Sequence, residues 1–301
     1  MKRKFDKAND PLICEMYKNE KISLTAIMLA ANVSMPYIYR VLKLNNIPTR
    51  LKINNPDKII NWNSKYSIND NFFDSLDNKN SAYFAGLISA DGHLPKTTND
   101  IKVELKLTDI DILEKFKLAI NSNKPIYKSN RSPDPRTGKT YTSCSLHICR
   151  EKLYKDLVKH GIGPDKSKNL RVPKISEEFM HYYVRGWADG DAGWNISQNS
   201  QCFFAITSSS YDFIIDLKDI FQTKCNLDTE VKVHDIQKEH CYKLIYSGNC
   251  QTRKIFDYLY QGDLEPKLDR KYEKCKTHFD EYDIKYPGKY QKYLNNQKVD
   301  Y

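Results

Sequence analysis

The sequence predicts an α+β protein: two pseudo-symmetric αββαββα repeats, preceded by a small all-α helix-turn-helix unit. Three observations predict it. The stretches Ala82-Tyr83-Phe84-Ala85-Gly86-Leu87-Ile88-Ser89-Ala90-Asp91-Gly92 and Tyr183-Val184-Arg185-Gly186-Trp187-Ala188-Asp189-Gly190-Asp191-Ala192 share one helix-like pattern that ends in an aspartate. Each is followed by the same order of alternating and helically spaced segments. Residues 1–50 carry short helical patterns and no strand pattern.

In the N-terminal unit, Pro11 to Asn19 has helical spacing (Leu12, Ile13, Met16, Tyr17), and a second helix runs from about Leu24 to Ala31. Asn32-Val33-Ser34 makes a turn, with Ser34 as N-cap and Pro36 in the first turn of a third helix that reaches about Asn45. Ile38, Val41 and Leu42 pack inward. Pro36, Tyr37, Arg40 and Lys43 project outward, the layout of a recognition helix entering a major groove. Ile22-Ser23-Leu24-Thr25-Ala26-Ile27 leading into Asn32-Val33-Ser34 resembles the helix-turn-helix units of resolvases and transposases. A plain three-helix packing module is the alternative. Residues 51–80, rich in Asn, Asp, Lys and Ser, read as a linker.

The first repeat, residues 81–170, continues with alternation from Ile101 to Thr108: Val103, Leu105 and Leu107 on one face, Lys102, Glu104 and Lys106 on the other. Thr108 or Asp109 then caps a helix carrying Ile110, Leu113, Phe116 and Leu118. Lys124 to Asn130 and Thr140 to Ile148 form a hairpin around the Pro133–Gly138 turn, and Arg150 to His160 a helix. The second repeat, residues 171–276, follows suit. Cys202 to Ser208 is a strand, Tyr211 to Lys224 a helix, Thr229 to Ile236 and Tyr242 to Ser247 a hairpin, and Cys250 to Tyr260 a helix. Residues 277–301, with Lys285, Tyr286, Lys289, Tyr290, Lys292 and Tyr293 interleaved, read as a solvated basic and aromatic tail, or as a surface that stacks on nucleic acid.

Composition bounds the partners. A net charge of +10 over 301 residues and a pI near 9.0 favour a polyanion, of which nucleic acid is the commonest. The eight cysteines form no Cys-x-x-Cys pair and read as reduced thiols of a cytoplasmic protein. The longest apolar run, near Ala26 to Val33, is too short for a bilayer, so neither secretion nor membrane insertion is expected.

The two motif helices carry the chemistry. Gly86 and Ala90 in one, and Gly186 and Gly190 in the other, make flat stripes that allow two backbones to approach. A carboxylate at a helix C-terminus faces the negative end of the dipole, at a cost of about 0.3–1 kcal/mol. Packing the stripes brings Asp91 and Asp191 together, and two such charges about 5 Å apart repel by roughly 3 kcal/mol at an effective dielectric near 20. A shared divalent cation removes both penalties, and oxygen ligands suit Mg²⁺.

This doubled small-xxx-small stripe with its final aspartates, FAGLISADG and VRGWADGDA, resembles the LAGLIDADG homing endonucleases in their single-chain, two-repeat form. The resemblance covers about Ser81 to Lys276 and includes Gly161-Ile162-Gly163-Pro164-Asp165-Lys166-Ser167-Lys168 and Leu268-Asp269-Arg270-Lys271-Tyr272-Glu273-Lys274 after each repeat. It implies a DNA-binding saddle and metal-dependent cleavage of both strands with 3′ overhangs. Asp91 and Asp191 would be the metal ligands, and Lys166 and Lys271 basic groups near the active-site water and phosphate. Outward strand residues would read base edges in the major groove. These are Lys102, Glu104, Lys106, Lys128, Asn130, Arg131, Arg136, Lys139, Tyr141 and Ser143 in the first repeat, and Gln201, Thr207, Lys232, His234, Lys238 and Lys243 in the second. Both repeats lie in one chain, which implies a monomer on a long, non-palindromic double-stranded site.

Two positions depart from the pattern. Ala192 stands where a glycine is usual, so the second site is expected to be less well formed, with nicking as a consequence. Leu107 stands where a polar strand residue is usual. Two other readings stay open: a PD-(D/E)xK nuclease using Asp91, Glu104 and Lys106, and a DNA-binding regulator or intron maturase that keeps the fold without cutting. Zinc-finger, HNH and GIY-YIG signatures are absent, and an intein is not expected because the chain lacks the terminal nucleophile and His-Asn pair.

Overall fold

The computed structural model describes residues 10–19, 22–47, 66–130, 138, 140, 142–227, 230–236 and 241–296. Two compact units divide at Ser64/Lys65.

In the first unit, α1 (Asp10–Lys18), α2 (Leu24–Ala30) and α3 (Met35–Leu44) close around Ile13, Tyr17, Ile27, Val33, Ile38, Val41 and Leu42. Ser23 caps α2 by accepting the Ala26 N–H at 3.1 Å. Ser34 occupies the N-cap of α3 with Pro36 in its first turn, yet its side chain makes no capping bond. Pro36, Arg40 and Lys43 are exposed as expected. Tyr37 is not: it is half-buried, and its hydroxyl donates to Asp10 Oδ1 at 2.9 Å, which ties α3 to α1.

The second unit has the expected αββαββα order twice. The first copy comprises α4 (Lys79–Asp91), β1 (Gly92–His93), β2 (Asp100–Lys106), α5 (Ile110–Ala119), β3 (Tyr127–Asn130), β4 (Thr142–Cys149) and α6 (Glu151–Lys159). After a short α7 (Lys166–Asn169) the second copy runs α8 (Glu177–Asp191), β5 (Gly193–Ile196), β6 (Cys202–Ser208), α9 (Tyr211–Lys224), β7 (His234–Asp235), β8 (Tyr242–Ser247) and α10 (Asn249–Leu259). Each copy forms a four-stranded antiparallel sheet, in the orders β1-β2-β4-β3 and β5-β6-β8-β7. Ile101, Val103, Leu146 and Ile148 in one sheet, and Phe204, Ile206, Leu244 and Tyr246 in the other, are buried in the common core. The alternate positions make the outer faces.

Several expectations need correction. Residues 66–80 are not a plain linker, because Phe72, Phe73 and Leu76 are buried and Phe72 packs against Phe84 and Phe116. Strand β2 stops at Lys106, and Leu107–Asp109 is a 3₁₀ turn, so Leu107 occupies no strand position. On α5 the buried stripe is Ile112, Leu113 and Phe116, which turns Leu118 outward at 74% exposure. The tail is helical through 296: α11 (Asp269–Lys285) buries Tyr272, Cys275, Phe279 and Tyr282 at helical spacing, and α12 (Lys289–Asn296) is tied back by Tyr290 Oη donating to Asp257 at 2.7 Å. All eight cysteines are unpaired. Among the described residues no helix is long and apolar enough to cross a membrane.

Helices α4 and α8 pack backbone to backbone. A Cβ on Gly86 would stand 2.0 Å from the Tyr183 carbonyl oxygen, and one on Gly186 would stand 1.9 Å from that of Tyr83. Backbone cannot yield as a side-chain tip can, so Gly186→Ala is expected to destabilise the unit by at least about 2 kcal/mol. Gly163→Ala, whose Cβ would meet only Val158 methyls at 3.5 and 3.9 Å, is expected to stay within about 0.5 kcal/mol. Urea unfolding midpoints compare the two.

Candidate active site at the paired helix ends

The close approach of α4 and α8 is locked by a reciprocal pair of hydrogen bonds. Tyr83 Oη donates to Asp189 Oδ2 at 2.7 Å, and from the other helix Tyr183 Oη donates to Ser89 Oγ at 3.0 Å. Asp189 also accepts from Tyr260 Oη at 3.0 Å and from the Leu268 N–H at 2.8 Å. Burial still pushes its carboxyl upward, against those hydrogen bonds. Asp189 is therefore an anchor at the helix interface, distinct from the terminal Asp191.

At the C-terminal ends, a Cβ on Gly190 would meet Ala90 Cβ at 2.5 Å and Asp91 Oδ2 at 3.0 Å, so the Asp91 carboxylate lies against the last turn of α8. Burial pushes the Asp91 carboxyl up to about 6, and the charge of Asp191 adds to the rise while Lys271 and Lys166 oppose it. Burial raises Asp191 too, again against Lys166 and Lys271. The two lysines are pushed down by burial.

Their ammonium groups answer the dipole problem. Lys166 Nζ donates to the carbonyls of Ser89 and Ala90 at 2.7 and 2.9 Å, and Lys271 Nζ to those of Ala188, Gly190 and Ala192 at 2.9, 3.3 and 2.7 Å. Each lysine follows the last helix of its repeat and caps the motif helix of that repeat, placing a cation where the macrodipole favours one. Lys271 meets as many carbonyls as it has N–H donors. Lys166 meets two, and it lines a cavity of about 200 Å³ together with Ser89, Trp187, Asp191, Thr207 and Cys241.

Ala192 does not impair the second end. Gly92 and Ala192 have nearly the same extended conformation, φ −75° and ψ 143° against φ −80° and ψ 147°. Neither needs the left-handed region, so the expectation of a malformed second site loses its physical basis. The two carboxylates themselves offer oxygen ligands, which suit a hard divalent cation such as Mg²⁺.

The expected strand residues separate into groups. Thr207, Lys243 and His234 stand in one cross-strand row over β6, β8 and β7. Lys106, Lys128, Asn130 and Lys232 are exposed. Lys102 and Glu104 are ion-paired with each other at 2.7 Å. Ser143 is buried at 6%, because β4 is covered by strands on both sides and the side chain is short. Gln201 is exposed but sits in the turn before β6, bonded across it to Ser197. Arg131, Arg136, Lys139, Tyr141 and Lys238 lie outside the described residues.

Sequence reasoning missed two supports. Arg185, fully buried, donates to the carbonyls of Leu259, Gln261, Asp263, Leu264 and Pro266 and lies over the rings of Tyr182 and Tyr260. Its signal was an arginine where the first motif has Ala85. Asp109, 4% exposed, accepts both arms of Arg270 at 2.7 and 2.8 Å and so joins the first repeat to the residue beside Lys271. Only distance in the chain hid that pair.

No protein-family model and no curated protein matches the chain. Among solved structures it is similar to the LAGLIDADG homing endonuclease I-LtrWI bound to target DNA, at 13% identity over 74% of this chain and 93% of that one, with a TM-score of 0.43. It is similar also to the homing endonuclease I-WcaI bound to its DNA recognition sequence, at 12% identity, 76% and 95% coverage and a TM-score of 0.47. For the LAGLIDADG homing endonuclease I-GzeII in complex with its DNA target the figures are 11%, 75%, 98% and 0.44.

A carboxyl whose folded-state pKa is raised makes the protein less stable once pH exceeds its unfolded value. For Asp91 this penalty grows from about pH 4 to about 6 and stays constant above. Asp91→Asn is therefore expected to stabilise the metal-free protein by about 1–3 kcal/mol at pH 7 and to have little effect near pH 4. Denaturant titrations at the two pH values measure it.

Proposed function

We propose that the chain is a site-specific DNA endonuclease of the LAGLIDADG homing type, hydrolysing phosphodiester bonds with Mg²⁺ held by Asp91 and Asp191. One observation carries the reading: at the ends of paired helices, one from each repeat, the half-buried Asp91 carboxylate lies against the last turn of α8, close enough for the charge of the more exposed Asp191 to raise it. Bound there, a divalent cation would supply charge neutralisation at the scissile phosphate and make an adjacent water more acidic. Residues 1–50 would serve as a helix-turn-helix module, 81–170 and 171–276 as the two halves of a DNA-binding saddle, and the whole as a monomer on a long, non-palindromic duplex site.

The residues of this chain divide the work. Asp91 and Asp191 hold their charges close together and must both be ionised to bind the cation. Lys166, with one N–H left over and a place on the cavity wall, is suited to donate to a phosphate oxygen as charge develops. Lys271, its donors committed to carbonyls, acts through its charge and by holding the end of α8. The row Thr207–Lys243–His234 and the exposed Lys106, Lys128, Asn130 and Lys232 would meet bases and phosphates, with Arg40 and Lys43 adding contacts from the first unit.

The PD-(D/E)xK alternative fits less well. Glu104 is engaged by Lys102, and the charges that act most on Asp91 are those of Asp191, Lys271, Lys166 and Asp109.

Purified protein incubated with a library of plasmid targets and Mg²⁺, with the ends mapped, tests the activity. Asp91→Asn and Asp191→Asn are each expected to abolish double-strand cleavage while DNA affinity in a gel shift stays within about tenfold. Full cutting by either variant, or loss with Glu104→Gln but not with Asp191→Asn, defeats the assignment. DNA bound but never cut by the wild type would leave the non-cleaving regulator or maturase. Lys166→Met is expected to lower the cleavage rate by about 10²-fold, whereas Lys271→Met should appear first as lost stability.

A further inference from the structure

A second ligand set lies on the outer face of the first sheet, away from the helix ends. Asp100 and Cys149 are direct partners across β2 and β4, and His147 sits two residues before Cys149 on the same face of β4, opposite Lys102. His147 Nε2 is 3.2 Å from Asp100 Oδ2 and 3.8 Å from Cys149 Sγ, and one ligand atom from each residue falls within 4.8 Å of the others. With Zn–N and Zn–O near 2.0–2.1 Å and Zn–S near 2.3 Å, neighbouring ligand atoms of a tetrahedral site stand about 3.3–3.6 Å apart. The two edges at His147 bracket that range. Carboxylate, imidazole and thiolate together select zinc-class ions over the hard cation suited to Asp91 and Asp191. Thr98 hydrogen-bonds the Asp100 carboxylate and helps to fix its orientation.

The fold itself does not require these residues. His93 and Gly193, each two residues past its terminal aspartate, pair with Lys102 and Ala205, which pair in turn with His147 and Ile245. By the same register Asp100 and Cys149 correspond to Phe203 and Ser247. The second repeat thus builds the same corner of its sheet with Phe203, Ile245 and Ser247, none of them a ligand set.

We propose that Asp100, His147 and Cys149 bind a zinc-class divalent ion, with a fourth position open on the outer face of the sheet. Binding releases the Cys149 thiol proton to solvent and ties the end of β2 to the end of β4. The site does not depend on DNA cleavage, so its test stands whether or not the chain proves to be a nuclease.

The full chain, stripped with a chelator, is titrated with Co²⁺. A thiolate-to-cobalt charge-transfer band saturating at one ion per chain is expected, lost in Cys149→Ser, weakened at least tenfold in affinity in His147→Gln and Asp100→Asn, and unchanged in Asp91→Asn. No band in the wild type means that the three groups form a hydrogen-bonded cluster only, which overturns the site, as does a band that survives Cys149→Ser. Should that variant fail to fold, alkylation of wild-type Cys149 mapped by mass spectrometry decides. Zn²⁺ must slow it in the wild type and not in His147→Gln, and equal alkylation with and without Zn²⁺ overturns the proposal.

Discussion

The backbone contact between α4 and α8 is the constraint on which the rest of the second unit depends. Two carbonyls, those of Tyr83 and Tyr183, occupy space that any side chain at Gly186 or Gly86 would need. Such closeness fixes the helices' separation and rotation together, and it alone brings Asp91 and Asp191 side by side. The two sheets then grow from the same helix ends, since β1 starts at Gly92 and β5 at Gly193. Small residues here act by absence: they let backbone meet backbone, and the tyrosine bonds to Asp189 and Ser89 hold the meeting in register.

Placing two carboxylates at two negative helix ends raises an electrostatic problem that this chain meets in stages. Lys166 and Lys271 neutralise the terminal carbonyls permanently. The carboxylates keep a residual strain, visible in the upward displacement of both pKa values. What is left at the helix ends is the charge of the carboxylates alone, because the dipoles are already capped.

Much of this was legible in the sequence, because periodicity and local chemistry suffice for it. The motif helices, strand β6 and helix α9 are local patterns, and α9 and β6 fall at their expected bounds. The small-residue stripe and terminal aspartates were likewise visible, since each lies within one helix. What was missed depends on partners remote in sequence. Lys271 as a cap, Asp109 paired with Arg270, and Asp100 beside Cys149 all join residues that only the folded topology brings together. Tyr37 and Ser143 were misjudged because helix phase and strand alternation report direction, while burial also depends on what lies over the residue. The C-terminal helices were hidden by composition: lysines between tyrosines look like a solvated tail, although Tyr272, Cys275, Phe279 and Tyr282 mark a buried stripe.

The Asp109–Arg270 pair bears on how the chain is made. Arg270 is synthesised 161 residues after the carboxylate it covers. Until then the first repeat presents an acid built for burial with no counter-charge, beside a motif helix whose glycine stripe has no backbone to lie on. A nascent first half is therefore an open surface waiting for the second. The contacts that complete it lie in α8, the turn after α10 and the start of α11, so the paired helix ends cannot be complete until that part of the chain has been made.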